Sequence, residues 1–177
     1  MGGTRALTAA ALAAAAALGT VLGLPGCSFV RGLQGVGANA VDVQVGECLK
    51  VGGTADMPEA TKVACGSPES NFKVVATVGD SDQCPSDVDS SYSQHSAFSD
   101  SSKTVCMDID WVVGGCMNVD PGGQADPFRV SCSDGSAPHR QRATQILSGV
   151  AGVDQCASGL GYPYEQRQFT VCVEDMS

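Results

Sequence analysis

Basic and aromatic residues are in short supply in this chain. Its 177 residues hold ten lysines and arginines against nineteen aspartates and glutamates, one tryptophan and two histidines, with a formal net charge of −9. So acidic a surface repels nucleic acid and anionic headgroups, which argues against either as a partner. His95 and His139 stand in no H-x-x-x-H spacing that would set two ligands on one helix face, and both read as surface residues. No C-x-x-C pair occurs, which weakens a thioredoxin-like redox site and a zinc ribbon alike. A G-x-S-x-G elbow, a Walker-type phosphate loop and an H-E-x-x-H motif are also missing. Asp87-Val88-Asp89 begins like a calcium loop, but Tyr92 stands at the sixth position, where the sharp turn requires glycine. The sequence therefore offers no catalytic residue, metal site or cofactor.

What is present begins at the amino terminus. Arg5 precedes an apolar run from Ala6 to Leu24, the pattern of a secretory signal. An uncleaved membrane helix is the rival, since about 20 apolar residues cross a bilayer, but the glycines between Gly19 and Gly26 continue a helix poorly. Leu24-Pro25-Gly26-Cys27 resembles the lipobox of bacterial lipoproteins, with Pro25 where Ala, Ser or Thr is usual. The resemblance implies cleavage before Cys27 and a diacylglycerol on its sulfur, fixing the chain to the extracytoplasmic face of the cell membrane; the plainer alternative is an ordinary signal with Cys27 as a structural thiol. Residues 1–26 then form the signal peptide, and residues 27–40, with several glycines, a tether.

Nine cysteines leave eight once Cys27 is set aside, and an even set in an exported chain predicts disulfides. Those eight fall into an internal repeat. Asp42-Val43-Gln44-Val45-Gly46-Glu47-Cys48 returns as Asp110-Trp111-Val112-Val113-Gly114-Gly115-Cys116, and Lys62-Val63-Ala64-Cys65 as Arg129-Val130-Ser131-Cys132. Asp82-Gln83-Cys84 returns as Asp154-Gln155-Cys156, and Thr104-Val105-Cys106 as Thr170-Val171-Cys172. Two units are expected, 41–109 and 110–177. Eight cysteines allow 105 connectivities. A unit copied whole most simply keeps its bridges inside itself, which favours Cys48 with Cys65, Cys84 with Cys106, Cys116 with Cys132, and Cys156 with Cys172.

Each unit reads as α+β, mainly antiparallel strands. Val43, Val45 and Glu47 fit strand period loosely, whereas Phe72, Val74, Ala76 and Val78 alternate cleanly between Pro68 and Gly79-Asp80. Pro85 and the acids after Cys84 suit a first helical turn, predicting a short helix to about Tyr92. Trp111, which stands where the first copy has Val43, reads as core or seam packing. With Tyr162 and Tyr164 around Pro163, it is also the candidate aromatic binding surface.

The order V-G-x-C, V-x-C with a proline soon after, a lone cysteine and a closing V-C, behind a lipobox, resembles the LppU-like lipoproteins of actinobacteria over most of the chain after Cys27. Val130-Ser131-Cys132 with Pro138-His139 is similar to part of the septum-formation family of membrane-attached domains. The resemblance implies a small lipid-anchored envelope domain and carries no catalytic set. The expectation is a non-enzymatic module that binds or assembles with an envelope protein or cell-wall component. An exported enzyme built from scattered acids is the alternative.

Overall fold

The computed structural model describes residues 42–54, 57–95 and 102–177. The signal, the tether and Cys27 lie outside the described residues. Ten strands build two antiparallel sheets of five. The first contains β1 (Cys48–Thr54), β2 (Met57–Val63), β3 (Phe72–Val78), β4 (Ser90–His95) and β5 (Ser102–Ile109) in the order β2-β1-β3-β5-β4. The second contains β6 (Cys116–Asn118), β7 (Phe128–Val130), β8 (Arg140–Ser148), β9 (Gly161–Tyr164) and β10 (Phe169–Asp175) in the order β7-β6-β8-β10-β9. Strand for strand, the second order repeats the first.

The V-G that precedes the first cysteine of each half is a turn and not a strand. Glu47 N donates to Gln44 O and Gly115 N to Val112 O, closing two four-residue turns whose third residues, Gly46 and Gly114, have φ of +94° and +86°. Only glycine adopts that backbone without strain. The strand expected from Val43 accordingly starts later, at Cys48. The alternation at Phe72 to Val78 does form β3, with Phe72 and Val74 buried.

Helix is confined, among the described residues, to two 3-10 turns, Ser81–Gln83 and Val153–Gln155, each ending against a cysteine. The helix expected from Cys84 to Tyr92 does not form. The reason lies in where that backbone is held: Arg167 binds the carbonyl of Asp87, and Ile109 N donates to the side chain of Asp89. These long-range bonds fix residues 85–89 as a loop. The architecture is thus mainly antiparallel β, and the helical share is two single turns.

Both sheets belong to one compact unit and feed one core. Leu49, Phe72, Val105 and Met107 of the first sheet join Met117, Ala143, Val171 and Val173 of the second in a single buried cluster. Each fully buried large apolar side chain contributes roughly 1.5–3 kcal/mol. Four disulfides add to this: Cys48–Cys65, Cys84–Cys106, Cys116–Cys132 and Cys156–Cys172. Each closes a loop within its own half and stabilises by about 3 kcal/mol in the chain-entropy model. Among the described residues no helix is long and apolar enough to cross a membrane.

Candidate functional site

Chemistry-bearing side chains gather where the halves meet, and they do so through two arginines of the second half. Arg167 sits in the short connection between β9 and β10. Its Nε donates to Asp87 Oδ1 at 2.8 Å, Nη1 to Asp108 Oδ2 at 2.6 Å, and Nη2 to Asp108 Oδ1 and to Asp87 O, each at 2.9 Å. Its own backbone N–H binds Asp87 Oδ2 at 3.0 Å. The guanidinium also lies over the rings of Tyr164 and Phe169, which stack on each other with centroids 4.2 Å apart.

These contacts set the protonation of the cluster. Burial pushes Asp87 up, but hydrogen bonds from the Arg167 backbone and guanidinium overcome it and leave the carboxyl below its ordinary value. Asp108 is more deeply enclosed, and there burial outweighs the same guanidinium, so its carboxyl is raised. The Tyr164 hydroxyl donates to Asp89 Oδ2 at 2.5 Å. Burial first, then the charge of Asp89, pushes that phenol far upward, keeping it a proton donor.

The second arginine, Arg129, stands mid-strand in β7 beside Asp110. Asp110 is buried, and its Oδ2 accepts from Gly66 N at 2.6 Å, Ser70 Oγ at 2.6 Å and Arg129 Nη2 at 3.2 Å. Arg129 also binds the backbone oxygens of Asp110 and Ser67. In the sequence register Arg129 matches Lys62, which pairs locally with Glu47 at 2.8 Å. The position matching Glu47 is Gly115, where an added Cβ would stand 3.1 Å from Val112 O and 3.3 Å from Arg129 Nη1. With no carboxylate at 115, Arg129 turns to Asp110 at the start of its own half and, through Nε, to the Ser67 carbonyl of the other. Cys48 and Cys65 sulfurs lie near the Asp110 carboxylate, but they are joined in a disulfide and provide no thiolate for a metal.

Two clefts open among the described residues, the first of them beside Arg167, Asp108 and Asp110. One, of about 510 Å³, has walls from both halves, including Val45, Lys73, Ile109, Trp111, Ile146 and Phe169. The other, of about 580 Å³, is lined by Asp120, His139, Gln141, Tyr162 and Asp175. There Asp120 is held below its ordinary value by the backbone N–H groups of Gly122, Gln124 and Ala125, and Asp175 Oδ1 accepts from Ser177.

The three aromatics expected to form a surface are placed unevenly. Trp111 and Tyr164 are buried, Tyr162 is half-buried, and Trp111 packs on Tyr162 with centroids 5.0 Å apart. Together they form the inner walls of the clefts and no flat exposed platform. The Trp111 indole N–H stands close enough to Tyr164 to favour its ionised form, yet it meets no acceptor in full hydrogen-bond geometry. Cys27 lies outside the described residues, and the other eight cysteines are all in bridges. Asp87 and Asp89, the false start of a calcium loop, are occupied by Arg167, Tyr164 and Ile109. Sequence reading passed over Arg167, Asp108, Arg129 and Asp110. For Arg129 a signal existed: its register partner Lys62 has Glu47, while Arg129 has only Gly115.

No protein-family model matches the chain, and neither a curated protein nor a solved structure does.

Proposed function

We propose that this is a lipid-anchored extracytoplasmic envelope protein, non-enzymatic, whose two tandem units arose by duplication and whose seam cleft binds a partner or ligand. It is proposed as a relative of the LppU-like lipoproteins, held to the membrane by a diacylglycerol on Cys27. One observation carries the binding reading. The carboxylates that face the seam cleft, Asp108 and Asp110, are each bound by an arginine, so the cleft presents apolar walls and no free acid to act as base or nucleophile. Four disulfides accord with an oxidising compartment, and the matching strand orders of the two sheets support duplication.

Two measurements test this. Fatty-acid labelling is expected in the wild type and absent in Cys27→Ala; equal labelling contradicts the anchor. Aqueous envelope extract is expected to change the emission of Trp111, the sole tryptophan, in the Cys27→Ala chain. A fraction that is chemically converted by the protein would favour the exported enzyme instead.

A further inference from the structure

We propose that the occupant of the seam cleft is an apolar chain ending in a single carboxylate, a long-chain fatty acid; this rests on the binding reading above. The cleft, about 510 Å³, falls in the range of small-molecule sites. Its walls combine the buried Ile109 and Trp111 with Val45 and Ile146, which are 64% and 44% exposed and so leave apolar surface in water at the mouth.

Charge selects the head group. Of the lining carboxylates, Asp108 is bound by Arg167, which it shares with Asp87, and Asp110 by Arg129 behind the wall. Lys73 is exposed and lies directly opposite Asp108 on the β3–β5 pair. No hydrogen bond or ion pair engages its ammonium among the described residues. The charges of the lining balance, Lys73 and Arg167 against Asp108 and Asp110, but the Lys73 ammonium is the one cation among them that no carboxylate holds, on a chain with a net charge of −9. One ammonium matches one carboxylate. A phosphate dianion would be repelled more strongly by the acidic surface and would lack a second cation. The Trp111 indole N–H, nine-tenths buried and without an acceptor, provides a second polar group in the same wall.

The test uses the full Cys27→Ala chain, purified without detergent and titrated with dodecanoate below its micelle-forming concentration, with Trp111 emission as the signal. Dodecanol serves as the uncharged probe. The proposal expects saturable binding of dodecanoate, about fivefold weaker in Lys73→Gln, as for loss of an ion pair worth about 1 kcal/mol. Dodecanol binding should be unaffected by that substitution. Ile146→Ser, at an exposed position, should weaken both probes. Equal dodecanoate affinity in wild type and Lys73→Gln overturns the proposal. Response to envelope extract without response to dodecanoate overturns it and leaves the binding reading standing. Response to neither overturns both.

Discussion

Arg167 uses four of its five N–H donors on Asp87 and Asp108 while resting on two stacked rings. Its partners answer pH with opposite signs. Asp87 is held below the ordinary carboxyl value, so its contribution is complete above about pH 4 and is lost as pH falls through the depressed value. Asp108 is raised, so the folded state binds more protons there, and stability falls as pH climbs from the ordinary carboxyl range through the raised value. Lys73 faces Asp108 across the strand pair but leaves its oxygens to Arg167. Removing Arg167 deletes the Asp87 contribution and leaves Asp108 buried and uncompensated. Arg167→Gln is therefore expected to destabilise by about 3–5 kcal/mol at pH 7 and by less at pH 4.5, because the raised Asp108 carboxyl binds protons more readily in acid than an ordinary one. Urea unfolding at both pH values measures this, and an equal loss at the two would contradict the assignment.

At the scale of elements, small sequence differences between matching positions redirect contacts from within a sheet to across the seam. In the second sheet Arg142 pairs with Glu174 on the neighbouring strand. The matching positions in the first sheet are Lys73 and Asp108, yet Asp108 bonds to Arg167 of the other half. Gly115 acts likewise for Arg129. Gly115→Glu should restore the local pairing seen at Lys62 and Glu47, draw Arg129 away, and strip the buried Asp110 of its guanidinium. The expected loss is about 1–3 kcal/mol, with Gly115→Ala costing less because it adds bulk and no charge. Thermal melting of the two variants decides it: equal shifts would mean crowding against Val112 O and not charge capture.

Local signals were legible where local forces act. The alternation of Phe72, Val74, Ala76 and Val78 became β3, whereas the recurring V-G, which reads as strand, forms two glycine turns because Gly46 and Gly114 take positive φ. The segment from Cys84 to Tyr92 misled because its partner, Arg167, lies about 80 residues away, beyond any periodicity. The same distance hid the seam: nothing near Asp108 in sequence shows which cation will reach it.

For the whole molecule, disulfides confined to each half and arginines crossing between halves divide the work. The bridges restrain each sheet's unfolded chain, while the shared core and the two latches make the halves one body with a cleft at the join. Exposure of Val45 and Ile146 at that cleft is the feature a partner or ligand would cover. The central claim, an exported, lipid-anchored and fully oxidised domain, is tested most directly by the intact mass of the protein purified from membranes. The samples are alkylated without reductant. The account predicts a chain of residues 27–177 carrying diacylglycerol on Cys27 and no alkylated cysteine. A chain retaining residues 1–26, an unmodified Cys27, or alkylation of any of the other eight cysteines would contradict it.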